Sequence, residues 1–270
     1  MTGNPRLSET QQKRAVHRSL EEWPDAAARR ALVSICSVKD LARLRTAGYA
    51  LARCGNGRRA ASEEFLDRYQ NDRRIGLRTA VLYARMFQLE DDPRGFLREV
   101  RRVANHPGGR PWPAIMDGLN HMWARNPRDM YRLMPAWLTH RDPHRRWAAL
   151  HGLEIPARKE PHSALKVLRL LRGERDLRVR RLLGHVVGQE LYLRHPEPSM
   201  QEMARWLGNG ARSAQAITRQ IERQVEIWFA SGLGSERQRV RLLRVAREYE
   251  DHRHSRVRTH ARRIVRITEA

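Results

Sequence analysis

Apolar residues recur along this chain at intervals of three and four, the spacing that lines one face of an α-helix, and no β-branched run alternates with polar residues as a half-buried strand would. The pattern repeats itself most clearly in two segments 34 residues apart. Asp142-Pro143-His144-Arg145-Arg146-Trp147-Ala148-Ala149 is matched by Asp176-Leu177-Arg178-Val179-Arg180-Arg181-Leu182-Leu183, so that Arg146 answers to Arg180. The apolar and small positions that follow keep the same offset: Ala148, Ala149, Gly152, Leu153 and Ala157 answer to Leu182, Leu183, Val186, Val187 and Leu191. Each Asp stands where an N-cap belongs, able to accept from the free N–H groups of the first turn and to complement the positive end of the helix dipole.

The same reading extends to the whole chain as paired helices. Residues 10–20 and 25–36 are short N-terminal helices separated by Trp23-Pro24, and 38–53 with 60–69 form a first pair around Gly55-Asn56-Gly57. Asp72 is expected to cap a helix running to about Phe87, and Asp91-Asp92-Pro93 to open its partner, with Asn105-His106-Pro107-Gly108-Gly109 ending that pair. Then come 111–123 with 127–138, 142–154 with 162–171, and 176–193 with 198–207. Helices at 213–229 and 236–267 depart from the period and are expected to cap the array. Six or so such pairs predict an all-α, HEAT-like helical-repeat solenoid, a curved superhelix with a basic concave face able to hold a rod-shaped partner. The expected organisation is one domain over 1–270: N-terminal helices at 1–37, HEAT-like pairs at 38–209 and basic capping helices at 210–270.

Charge changes the picture next. The 53 basic residues exceed the 30 acidic ones by a formal +23, and 49 of the 53 are arginines. Such a surplus implies a polyanionic partner, because each phosphate neutralised by a cationic side chain releases condensed counterions. Biased genome composition accounts for arginine in place of lysine but not for the net charge. The stretch 237–266 alone holds eleven arginines against Glu248, Glu250 and Asp251. No apolar stretch approaches the length of a membrane span and no signal-like segment opens the chain, which predicts a cytoplasmic protein, nucleoid-associated when bound to DNA, with no membrane partner. Cys36 and Cys54 are expected to be structural thiols, neither bridged nor metal-binding.

The run Arg145-Arg146-Trp147-Ala148-Ala149-Leu150-His151-Gly152-Leu153, a variable helix, and then Val179-Arg180-Arg181-Leu182-Leu183-Gly184-His185-Val186-Val187-Gly188-Gln189-Glu190-Leu191-Tyr192-Leu193-Arg194-His195-Pro196-Glu197 resemble the HEAT-like-repeat DNA alkylation repair proteins, the AlkD-like glycosylases. The close match covers about a fifth of the chain. The resemblance implies hydrolysis of the bond joining an alkylated purine to its deoxyribose, without a metal or other cofactor. In such chemistry a carboxylate beside the sugar stabilises the developing positive charge and positions water.

Carried over residue by residue, the resemblance assigns Asp117, on Trp112-Pro113-Ala114-Ile115-Met116-Asp117, as the catalytic carboxylate, and Trp112 and His185 as contacts to the lesion and its sugar. The chain departs from the family here, since Trp112 stands five rather than four residues before Asp117 and His185 replaces a tryptophan. Arg145 and Arg146, with Arg180 at the position that repeats Arg146 and Arg181 beside it, are expected to bind DNA phosphates, as are Arg256, Arg262 and Arg263 near the C-terminus. Arg146 and Arg180 also fit an ordinary repeat position. His140 and His144 have metal-ligand spacing, but Asp142-Pro143 starts a helix between them. Trp123, Trp137, Trp147, Trp206 and Trp228 fall in apolar patterns and are expected to pack.

Three readings therefore stand: a glycosylase for alkylated purines acting on double-stranded DNA, a non-catalytic relative that binds damaged or branched DNA, and a basic scaffold for RNA or an acidic protein. A monomer is expected, because a solenoid capped at both ends needs no second copy.

Overall fold

The computed structural model describes residues 8–209 and 212–270, and these hold seventeen α-helices and no strand. The chain divides into two compact units, Met1–Asn126 and Pro127–Ala270. The boundary expected between 209 and 210 falls beside residues outside the described ones.

The first unit contains α1 (Glu9–Glu21), α2 (Ala26–Cys36), α3 (Leu41–Ala52), α4 (Asn56–Tyr69), α5 (Ile75–Gln88), α6 (Pro93–Ala104) and α7 (Trp112–Arg125). Alternate helices form a row, α1 packing on α3, α3 on α5 and α5 on α7, while α2, α4 and α6 lie against that row. Caps set where several helices begin. Ser8 makes a capping box with Gln11, Asp25 and Asp40 each accept two first-turn N–H groups, and Asp92 accepts from Gly95 with Pro93 in the first turn. Asp72 differs from the expectation: α5 starts later, at Ile75, and the Asp72 carboxylate grips Arg74 through its backbone N–H and its guanidinium.

The second unit contains α8 (Pro127–Leu133), α9 (Pro135–Leu138), α10 (Pro143–His151), α11 (Glu154–Lys159), α12 (Pro161–Leu168), α13 (Leu177–His185), α14 (Pro196–Gly208), α15 (Arg212–Ala230), α16 (Glu236–Arg247) and α17 (Ser255–Glu269). Here α10 packs on α13, α13 on α15 and α15 on α17. Asp142 and Asp176 cap α10 and α13 as their spacing predicts. Of the repeated apolar positions, Ala148, Ala149, Leu153, Ala157, Leu183, Val186, Val187 and Leu191 are all fully buried. Three expected continuous helices are interrupted. Residues 127–138 break at Met134, residues 142–154 break at Gly152-Leu153, and residues 236–267 break between α16 and α17. The stretch 176–193 changes character instead, α13 passing into a wider π-helical turn over Val186–Tyr192.

Side-chain ties within each unit reach about one helical pair along the chain. Arg53 bonds Glu90 and Arg125 bonds Asp91 in the first unit; Arg158 grips Glu190 and Arg169 grips Glu202 in the second. Gly184 and Gly188, four residues apart, let α13 and the π turn lie against α15. A Cβ on Gly184 would come 2.5 Å from Cβ of Gln220, and one on Gly188 would come 2.9 Å from Cβ of Gln224. The Gly-His-Val-Val-Gly stretch thus has a packing role of its own.

Both cysteines are free thiols, Cys36 buried and Cys54 half-buried. Burial pushes the Cys36 thiol up to about 12. Iodoacetamide at pH 8 is therefore expected to label Cys54 and leave Cys36 unmodified until the protein is unfolded, with peptide mapping as the readout. Native labelling of Cys36 would contradict the packing around α2.

Candidate nucleic-acid interface

Arg146 fastens the turn in front of its helix. Arg146 stands four residues after its N-cap Asp142 and turns back, so that Nη1 donates to the carbonyls of His140 (2.6 Å) and Arg141 (2.9 Å). Its Nε and Nη2 donate to Glu174 at 2.6 and 2.8 Å, a bidentate pair in which the Glu174 side chain is only 3% exposed. The hydrogen bonds to Glu174 hold the Arg146 guanidinium charged above its usual range. Arg258, four residues after the N-cap His254, bonds the carbonyls of His252 and Arg253 in the same manner. Arg78, four after the N-cap Arg74, bonds the carbonyl of Asp72 and reaches the carbonyls of Gly108 and Gly109, both at 2.7 Å.

The other expected phosphate contacts differ among themselves. Arg145 is buried, its guanidinium 5.6 Å from the Trp137 ring centroid and Nη1 3.2 Å from Nε2 of His140. Arg180 is half-buried at the position equivalent to Arg146 but has no counterpart of Glu174 among the described residues, and its Nε lacks a partner. Arg181 and Arg262 are exposed. Arg256 is half-buried in the first turn of α17, and Arg263, two turns further on, pairs with Glu222 at 3.1 Å.

Asp117 lies on α7 in the first unit, while Arg146 and His185 belong to the second. Its carboxylate meets Arg45 of α3 at 3.2 Å. Tyr83 of α5 is buried nearby, and burial with the neighbouring Asp117 charge keeps that phenol protonated. One turn along α7, burial depresses His121 below the usual imidazole range, so its ring is neutral at pH 7. Trp112 opens α7, and five residues on a helix amount to about 140° of rotation, so Trp112 and Asp117 lie on different faces. The guanidinium of Arg110 lies 6.0 Å from the Trp112 ring centroid. His185 ends α13 with Nε2 3.9 Å from Glu154, which also lies 3.3 Å from Nδ1 of His151.

Among the tryptophans expected to pack, Trp123, Trp137 and Trp206 are buried, whereas Trp147 and Trp228 are half-buried. Sequence reasoning missed Arg45, Tyr83 and Glu174. The first two lie 72 and 34 residues before Asp117, and no local pattern pairs Arg146 with a glutamate 28 residues on. It also passed over Arg219 and Arg223 of α15, whose spacing of four was the available signal. No helix among the described residues is long and apolar enough to cross a membrane. No protein-family model, curated protein or solved structure matches the chain.

Proposed function

We propose that this protein is a HEAT-like helical-repeat protein that binds double-stranded DNA through its phosphate backbone, without catalysis. One observation carries the reading: the cationic surplus is not consumed by the fold. Acidic residues such as Glu174, Glu190 and Glu202 are engaged in buried ion pairs, whereas Arg172, Arg175, Arg181, Arg219, Arg223 and Arg262 are exposed with no acidic partner among the described residues. Guanidiniums in that state are those that exchange counterions for phosphates. The rows of alternately packed helices, with ties about one pair apart, support the HEAT-like arrangement within each unit. Fluorescence anisotropy of a short labelled duplex near physiological salt tests it. A Kd of about 1–100 μM is expected, the range of sequence-independent contacts; no binding at several hundred micromolar protein would contradict it.

Hydrolysis of an alkylated purine's glycosidic bond is the second reading, and the partly exposed Asp117 carboxylate favours it. It ranks second because Arg45 already neutralises that carboxylate, weakening the field available to a developing sugar cation. Duplex carrying N7-methylguanine is expected to release no free base above the protein-free rate. Release by the unaltered protein that falls about a hundredfold or more in Asp117→Asn would instead install the hydrolase.

A further inference from the structure

The helices α15 and α17 lie side by side, and an arginine-lined trough runs between them. On α15 its wall is built by Arg219, Glu222, Arg223 and Glu226, residues spaced by three and four and therefore on one helical face. On α17 the facing wall carries Arg256, then Arg263 two turns on and Arg266 about one turn beyond it, all on one side of about 15 Å of helix. One end is a cavity of about 120 Å³ and the other a wider space of about 510 Å³, and the two share Arg219, Glu222 and Arg263. Arg219 and Arg223 are exposed and have no hydrogen-bonding or ionic partner among the described residues.

The floor of the trough is held rigidly. The Tyr192 hydroxyl and Nε2 of His260 are 2.8 Å apart, Nδ1 of His260 and Glu222 are 2.7 Å apart, and all three residues are buried. Glu222 is also the carboxylate that Arg263 meets, so one of the two carboxylates on the wall is already paired with a guanidinium. Glu226 is exposed at the open end.

We propose that this trough is a binding site for the phosphodiester backbone of one strand of a DNA duplex. The proposal rests on the DNA-binding reading above and assigns it a place in the second unit. The two walls together place five guanidiniums, Arg263 among them already meeting Glu222, along about 15 Å, a length of helix axis over which one strand of B-form DNA carries about four phosphates. Among the described residues the walls carry no phenyl, phenol or indole ring. Single strands are held largely by stacking their bases on such rings. A trough lined mainly by guanidiniums, with hydroxyls and two carboxylates but no aromatic platform, recognises a backbone whose bases are stacked elsewhere, as they are in a duplex, and recognises it without regard to sequence.

The test compares two double variants of the full chain that lose equal charge. Arg219→Gln with Arg223→Gln removes both arginines from one wall, and Arg128→Gln with Arg141→Gln removes two exposed arginines of the same unit outside the trough. Circular dichroism and melting temperature confirm that each is folded. Anisotropy titrations against a DNA duplex and an RNA duplex of the same sequence, over a salt series, give the readout. The trough variant is expected to lose about tenfold or more in DNA affinity near 0.1 M salt and about two units of salt slope, while the control loses less than about threefold. Glu226→Gln is expected to tighten binding. Equal losses in the two double variants, or a loss confined to the RNA duplex, would overturn the trough and leave the broader reading standing. Absence of DNA binding by the unaltered protein would overturn both.

Discussion

Replacing Arg146 by alanine is expected to lower the melting temperature of the second unit by about 10 °C. The Arg146–Glu174 pair is bidentate and buried, so removing the cation leaves a carboxylate out of water with nothing to neutralise it. Breaking a buried pair from one side typically costs about 3–5 kcal/mol, and about 1 kcal/mol shifts a unit of this size by some 2–4 °C. The carbonyls of His140 and Arg141 lose a donor at the same time. Removing both charges is expected to recover most of the loss: Arg146→Met with Glu174→Gln should melt within a few degrees of the unaltered protein. Duplex affinity, measured where the Arg146→Ala variant is folded, is expected to change less than about twofold, because this guanidinium faces inward. A small change in melting temperature with a tenfold loss of affinity would return Arg146 to the phosphate contacts that its repeated position first suggested.

The second large effect is the salt dependence of duplex binding. If about five phosphates are neutralised, affinity falls as roughly the 4.5th power of salt concentration, or about 500-fold between 50 and 200 mM. The exposed arginines without acidic partners motivate that figure; neutral hydrogen bonding to bases would give a far flatter response. The arginines engaged at Glu174, Glu190 and Glu202 contribute little to the slope, since their charge is already balanced within the protein.

Local chemistry was legible in the sequence, and pairings across repeats were not. Asp142 and Asp176 cap their helices because a cap needs only a carboxylate and the two or three N–H groups that follow it. The buried positions from Ala148 to Leu191 were legible because a helix has a fixed period. The break between α16 and α17 was hidden by that same period, since Val245 and Ala246 before it and Val257 after it are all buried and no side chain caps Ser255. What holds the turn there is Nδ1 of His252 accepting from the His254 N–H, with Arg258 on the carbonyls of His252 and Arg253. The boundary between units at Asn126-Pro127 looks in the sequence like any other helix end followed by proline.

The candidate site was legible in kind and less so in detail. A surplus of arginine identifies a polyanion as partner, but it does not say which guanidiniums are already engaged. Arg146 and Arg263 share a charge and a helical setting with Arg181 and Arg262, yet the first two meet glutamates 28 residues later and 41 residues earlier. Asp117 was found through its tryptophan-containing stretch, whereas Arg45, which governs its electrostatics, arrives from a helix two places back in the row.

Equilibrium binding of the full chain to a duplex without lesions or a preferred sequence, at four or more salt concentrations between about 50 and 300 mM, tests whether the exposed arginines hold DNA. A straight line of log affinity against log salt is predicted, with a slope steeper than about −4 and the same within error for duplexes of unrelated sequence. A slope near zero, or binding that appears only with one sequence or one lesion, would contradict the claim that the unconsumed arginines of this fold grip the phosphate backbone.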